Sequence, residues 1–310
     1  MKAWQFTDTH APLELVELPD VAPGDGEVVV TVKAVGICHS DVGLFEDEKW
    51  LDQLSLPIVP GHETSGFVSE VGPGVQDFAV GDRVAVWTLG EYHGYRRDGG
   101  FAETLIAHTD SLVRIPDGVS FEQAVFAEPG MTAHSAVMIT GQVTAGQDVA
   151  IIGIGGLGYI GLRIAVLAGA NVVVAEANEA VWDLARDAGA TRVVKDITEL
   201  ADQNVDVVVD FAGFGTTTRG ALNVVSPGGR VVQVGMGRLE ATIDTEQLIT
   251  KGVSLVGNMG GPKDSMTAVL EGIAAGNITP TIHRTTFDGI PDGIGRLARR
   301  EVAGRIVAVF

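Results

Sequence analysis

The sequence predicts an α/β protein in two parts, a β-rich domain and a domain built on a doubly wound parallel sheet. Three observations carry this. Apolar runs at 149–152, 172–175, 206–210, 229–235 and 253–257 alternate with helical stretches, as in parallel strands covered on both faces. Up to about Arg114, short apolar runs are instead broken by frequent Pro and Gly turns. At 310 residues the chain exceeds what one small core serves, so two domains are the default expectation.

In chain order, 27–36 and 64–71 read as strands, with turns at Pro73-Gly74 and within 80–84. This is the texture of a compact, barrel-like β domain. Residues 121–138 turn helical, and the strand–helix alternation starts at Asp148. After Pro262 comes a helix over 265–275, a turn at Gly276-Asn277 and a closing strand over 304–310. The simplest arrangement inserts the doubly wound domain (131–262) between a β-rich segment (1–130) and a C-terminal segment (263–310) that completes the β domain.

The stretch from Asp148 to Gly161 organises the chain. An apolar strand turns through Gly153, Gly155 and Gly158, continues as a helix, and a second strand ends at Glu176. Strand, glycine turn, helix, strand and a carboxylate about 20 residues on form the dinucleotide-binding fingerprint. Gly153 permits the turn, Gly155 lets backbone approach a pyrophosphate, and Gly158 lets helix and strand pack closely. The free amides at the helix N-terminus face an anion. With 41 glycines in the chain, the triplet alone would suit any tight strand-to-helix turn; the surrounding order is what selects the nucleotide reading.

The formal charge of −19, from 40 acidic and 21 basic residues, disfavours nucleic acid and anionic membranes as partners. It leaves two readings open: an ordinary acidic protein, or one adapted to a saline interior where screening makes a dense acidic surface tolerable. No apolar run is long enough to span a bilayer. The N-terminal Met1-Lys-Ala-Trp lacks the features of a signal peptide, so a cytoplasmic enzyme is expected. The single cysteine, Cys38, rules out an intrachain disulfide and a four-cysteine zinc site.

That cysteine stands in Gly36-Ile-Cys-His-Ser-Asp41, after a strand; Pro60-Gly-His-Glu-Thr64 stands before one. Cysteine, histidine and carboxylate are zinc's preferred donors. By residue type alone, Cys38 is equally a small buried hydrophobe and His62 a satisfied loop histidine.

These two segments, with Val71-Gly-Pro-Gly-Val75, Gly81-Asp-Arg-Val84, Gly99-Gly-Phe-Ala-Glu103, the glycine loop and the closing Gly304-Arg305, recur in an order that resembles the zinc-dependent alcohol dehydrogenases of the medium-chain dehydrogenase/reductase superfamily. The resemblance covers nearly the whole chain. It implies a GroES-like catalytic domain with a Rossmann NAD-binding domain. It also implies that Cys38 and His62 ligate a catalytic zinc, with Glu63 the acid behind it that can ligate transiently. The third ligand, often a cysteine, falls on Glu128, whose other reading is an acid favoured by the helix dipole. Thiolate, imidazole and carboxylate still balance the metal's charge.

By the same resemblance Ser40 takes the substrate's proton, or is simply a turn serine. Where relatives continue the relay with a histidine, this chain has Gly43. Asp41 orients His62 from behind, or caps a helix. Trp87 falls near a substrate-pocket position, with a core tryptophan as the alternative. The four-cysteine structural lobe of many relatives is missing: residues 87–98 run straight into Gly99, so one zinc per chain is expected.

For the cofactor, Glu176 is expected to bond the adenosine ribose and repel a 2′-phosphate, which favours NAD over NADP. Gly153, Gly155, Gly156, Leu157 and Gly158 form the loop. By the resemblance, Thr132 and Leu157 fall at nicotinamide-contacting positions, His39 and Arg305 at the pyrophosphate, and Val234 among the cofactor-binding residues. Packing, a helix cap, a solvated loop histidine and a surface arginine are the alternatives for Leu157, Thr132, His39 and Arg305.

The implied reaction is reversible oxidation of an alcohol to an aldehyde or ketone, with hydride passing from a zinc-bound alkoxide to NAD. A polyol or sugar dehydrogenase, a zinc-free quinone or enone reductase and a non-catalytic NAD-binding module are the alternatives. Relatives are dimers or tetramers, and 253–257 is a candidate edge strand for pairing.

Overall fold

A computed structural model describes residues 1–20, 22–302 and 304–310. The chain forms two units, Met1–Pro129 with Met266–Phe310, and Gly130–Ser265.

The first unit opens with the hairpin β1 (Lys2–Gln5) and β2 (Glu14–Glu17). It continues through β3 (Glu27–Ile37), β4 (Glu63–Val71), β5 (Arg83–Val86), β6 (Thr104–His108) and β7 (Leu112–Arg114). The valine-rich β3 is buried along most of its length because it pairs on both sides. One edge pairs with β4; the other pairs with β6 along its first half and, along its second, with the C-terminal strand. Register shifts between Val29 and Val30 and between Val32 and Ala34 bend it, as bulges do.

The second unit holds β8 (Asp148–Ile152), β9 (Asn171–Ala175), β10 (Arg192–Val194), β11 (Val205–Asp210), β12 (Val225–Gln233) and β13 (Ser254–Gly257). They lie parallel in the order β10-β9-β8-β11-β12-β13. This is the Rossmann order, and the reversal point falls between β8 and β11, where dinucleotides bind in such sheets. The chain then returns to the first unit with β14 (Ile282–Thr286) and β15 (Arg305–Val309), the strand that pairs with β3.

Several boundaries differ from the sequence reading. The helix after the glycine loop begins at Gly156, ahead of the last glycine of the turn, because Gly156 and Gly158 themselves lie in its first turn. The helix after Pro262 spans Lys263–Ala274. The helix His39–Glu46 is implied in the sequence only by the helix-cap reading of Asp41, and the helix Ile290–Ala298 by nothing. The second buries Ile290, Ile294 and Leu297 on one face, a helical spacing masked by Gly293 and Gly295. Gly293 permits close packing there, since a Cβ would meet Ile37 Cδ1 at 2.5 Å. Among the described residues no helix is long and apolar enough to cross a membrane.

Candidate active site

Strand register builds the site. Gly36 of β3 pairs with Glu63 of β4, and Ile37 pairs with Ile306 of β15. Continued one step, those registers set His62 opposite Ile37 and Arg305 opposite Cys38, so His62, Cys38 and Arg305 come together at one end of the three strands. The chain turns at Cys38 into the helix His39–Glu46, where the Cys38 amide donates to Asp41 Oδ2 at 2.8 Å.

The Cys38 sulfur, a His62 ring nitrogen and a Glu63 carboxylate oxygen all lie within 4.8 Å of one another. His62 Nε2 is 3.8 Å from Glu63 Oε1 and 3.4 Å from Ser40 Oγ. On the other side of the ring, Nδ1 is 3.5 Å from Asp41 Oδ1. Asp41 thus serves both as helix cap and as neighbour of His62.

Arg305 was expected at a pyrophosphate or at the surface. The structure buries it, which excludes the surface alternative, with Nη2 donating to Glu63 Oε1. Glu63 is fully buried, its Oε2 has no hydrogen-bond partner, and neither does Arg305 Nε.

Burial raises the Glu63 carboxyl to about 7 despite Arg305 and His62 beside it. Burial also raises Glu128. At Cys38, burial works against the thiolate, but Arg305 and His62 prevail and bring the thiol below its ordinary value. Burial likewise works against a charged His62, yet Tyr95, Asp41 and Cys38 hold it well above the usual histidine range. A set of sulfur, nitrogen and oxygen donors, half-buried at Cys38 and buried at His62 and Glu63, with one carboxylate oxygen unpartnered and two carboxyls short of positive charge, fits a zinc ion.

Glu128 is buried in the first turn of the helix Ala127–His134 but stands outside the three-residue cluster. Cys38, His62 and Arg305 all act on its charge, so it belongs to the same electrostatic neighbourhood. Trp87 is half-buried at the head of the short helix Thr88–Glu91. His39 is exposed at the start of its helix.

Sequence reasoning missed two contributors. Thr88 Oγ1 donates to the His62 carbonyl at 2.7 Å. Tyr95 Oη lies 3.4 Å from His62 Nδ1, with ring centroids 5.3 Å apart. Neither position belongs to a motif; the only signal for both is membership of the shortened 87–98 segment.

In the second unit, Gly153 adopts φ +84°, which favours glycine, and a Cβ on Gly158 would sit 1.8 Å from the Gly153 carbonyl oxygen. A Cβ on Gly155 would meet nothing within 4 Å, so that side of the loop is open. Gly155 caps the helix without a side-chain bond, leaving the first amides, Gly156 and Leu157 among them, available to an anion. At the end of β9, Glu176 accepts from the Ile154 amide through Oε2 and from the Asn178 amide through Oε1, each at 2.7 Å. Val234 is half-buried beyond β12, its amide bonded to the Asp210 carbonyl at 3.0 Å. Thr132 is half-buried, its carbonyl accepting from Asn258 Nδ2 at 3.3 Å.

Residues 24–117 match the family model of the alcohol dehydrogenase GroES-like domain, and residues 156–275 that of the zinc-binding dehydrogenases. An alcohol dehydrogenase of Geobacillus stearothermophilus is 32% identical over 99% of both chains. An L-threonine 3-dehydrogenase of Pyrococcus furiosus is 34% identical over 80% of each. Among solved structures, acetophenone reductase from Geotrichum candidum in complex with NAD matches with a TM-score of 0.91 at 26% identity, over 100% of this chain and 97% of its own. With both domain models matched and a relative aligned from end to end, the chain belongs to the zinc-type medium-chain dehydrogenase/reductases and is an oxidoreductase.

Proposed function

We propose that the protein is a zinc- and NAD-dependent dehydrogenase that interconverts an alcohol with its aldehyde or ketone. The observation that carries this reading is the Cys38–His62–Glu63 donor cluster, half-buried at Cys38 and buried at the other two, with its unpartnered carboxylate oxygen. Cys38, His62 and Glu128 would hold one zinc, with Glu63 the exchangeable carboxylate behind it. A bound zinc would supply Lewis acidity toward the substrate oxygen, and a bound NAD would supply the hydride acceptor. Overall, alcohol and NAD+ give carbonyl compound, NADH and a proton. Ser40 Oγ, beside His62 Nε2, accepts the hydroxyl proton and passes it outward.

Gly153, Gly155, Gly156, Leu157 and Gly158 would carry the pyrophosphate and the edge of the nicotinamide half, with Thr132 and Val234 beside it. His39 and Arg305 would reach the phosphates, with Arg305 also paired to Glu63. Glu176 supports NAD over NADP. The residues after it, Ala177, Asn178 and Glu179, supply no cation for a 2′-phosphate, and Glu179 engages Lys195 at 3.2 Å. Trp87 would line the substrate pocket.

A hydroxy amino acid or polyol is the second reading of the substrate, favoured by the match to a relative named L-threonine 3-dehydrogenase. The test is an NAD(H) absorbance screen over primary, secondary and aromatic alcohols, L-threonine, sorbitol and glucose, with zinc or after chelation. Turnover of simple alcohols that is lost on chelation and restored by zinc is expected. Turnover retained in a protein shown to be metal-free would overturn the zinc reading in favour of a quinone or enone reductase.

A further inference from the structure

The segment that runs where relatives carry a structural-zinc lobe is tightly held. Arg97 bridges Glu27, at 2.7 Å, and Glu91. His93 is fully buried between Glu91 Oε2, at 3.2 Å, and the Asp98 carbonyl, at 2.9 Å. Asp98 Oδ1 accepts from the Val59 amide at 2.9 Å, and the Tyr95 carbonyl accepts from the Ser55 amide at 2.9 Å. Tyr92 takes a left-handed conformation, φ 56°, that turns the chain back, and its carbonyl accepts from the Tyr95 amide at 3.0 Å. At Gly94 the turn passes so close to the Gly61–His62 backbone that a Cβ would meet the His62 nitrogen at 3.2 Å. These contacts leave Tyr95 little choice of position. Its ring lies beside the His62 ring, tilted by 35°, and its hydroxyl faces His62 Nδ1 and Ser40.

His62 presents two distinct nitrogens. Nε2 faces Ser40 and Glu63; Nδ1 faces Asp41 Oδ1 and Tyr95 Oη. An imidazole that ligates through one nitrogen carries its proton on the other, and the acceptor there fixes both tautomer and ring orientation. Asp41 cannot supply this alone at ideal distance. Its other oxygen is bound to the Cys38 amide at 2.8 Å, which pins the carboxylate while Oδ1 stays 3.5 Å away. The phenol oxygen is the second acceptor, and its own O–H is then free to point toward Ser40.

We propose that Tyr95 is a positioning residue: its hydroxyl accepts from the His62 Nδ1–H, keeps Nε2 directed at the donor cluster, and orients the Ser40 hydroxyl. The role rests on the zinc reading above. It gives the 87–98 segment a task at the reaction centre that its short length alone does not reveal.

The test compares wild-type protein with Tyr95→Phe, which removes one oxygen and keeps the ring. Cobalt(II) replaces zinc as a visible probe, its affinity is read by chelator competition, and kcat and KM are measured on the zinc-loaded enzyme. Metal affinity should weaken by about 10-fold or more, with altered cobalt absorption bands and a fall in kcat larger than the change in KM. Nitrogen-15 histidine spectra of the zinc-loaded wild type should show His62 protonated at Nδ1, a readout that does not depend on the variant folding. Unchanged affinity, bands and kcat in Tyr95→Phe would overturn the proposal, as would a His62 protonated at Nε2. A wild-type protein that binds neither metal removes the zinc reading itself, and this role with it; wild-type binding with an indifferent variant removes the role alone.

Discussion

Arg305 and Glu63 form an ion pair with both side chains out of water, 4% and 0% exposed, although 242 residues separate them. Each is brought there by its strand: Glu63 begins β4, Arg305 begins β15, and β3 lies between. Removing Arg305 leaves Glu63 buried without its cation, either charged and uncompensated or forced to take up a proton. Arg305→Met should therefore cost about 3–5 kcal/mol, read as an earlier midpoint in guanidinium. A midpoint equal to wild type would mean that Glu63 is neutral in the folded protein.

Metal retention should depend on Cys38 and His62. Cys38→Ala and His62→Ala should each bring bound zinc close to zero and lower kcat/KM by more than about 100-fold, beyond the effect of removing an orienting neighbour. Glu128→Gln distinguishes a ligand from a nearby charge: a ligand loses affinity by a similar factor. Metal analysis after dialysis measures all three, and full zinc occupancy in Cys38→Ala contradicts the assignment.

The glycine loop offers a paired test. Gly158→Ala places a Cβ 1.8 Å from the Gly153 oxygen, so the turn must shift, at about 1–3 kcal/mol. Gly155→Ala meets nothing within 4 Å and should fold as wild type while binding NAD less tightly. Calorimetric titration with NAD and thermal unfolding separate the two. Equal NAD affinity in Gly155→Ala and wild type would sink the pyrophosphate assignment.

Glu91 makes the 87–98 segment sensitive to acid. Burial works against its charge, but His93, the His108 amide and Arg97 outweigh it and bring the carboxyl from 4.5 to about 2. Because the folded value lies below the unfolded one, its stabilisation is complete above pH 4.5 and lost as pH falls through 2. With an 18% exposed side chain and some solvent screening, Glu91→Gln should cost about 1–2 kcal/mol at neutral pH. The gap between variant and wild type should close as the pH is lowered from 4.5 toward 2; a gap independent of pH would assign the loss to packing.

Salt should stabilise the protein. A net charge of −19 repels itself, and screening over about 10 Å at 0.1 M salt relieves that repulsion. The unfolding temperature should rise with KCl, and a constant value up to molar concentration would exclude both self-repulsion as a limit on stability and adaptation to a saline interior.

The parts of the site legible in the sequence were those whose chemistry is local. Gly153 and Gly158 constrain each other over six residues, so their spacing announces the turn. Cys38, His62 and Glu63 were readable as donor types, and strand ends on either side hinted that they meet. Tyr95 was not readable, because nothing near it in sequence requires an aromatic ring; its place follows from ion pairs and turns that hold the whole 87–98 segment. The helix Ile290–Ala298 was hidden for another reason, since its glycines serve packing against Ile37 and dilute the helical signal.

Sequence by itself determined the two-part fold, the glycine loop, the family and the absence of a four-cysteine site, since each follows from residue types and short spacings. Tertiary structure alone decided that Arg305 pairs with Glu63, that Asp41 is shared between a helix cap and His62, that Glu128 stands outside the tight cluster, and that a tyrosine faces the candidate metal ligand. These depend on strand register and on packing between residues far apart in the chain, where ångström differences separate a ligand from a neighbour. Composition and spacing carry no such distances.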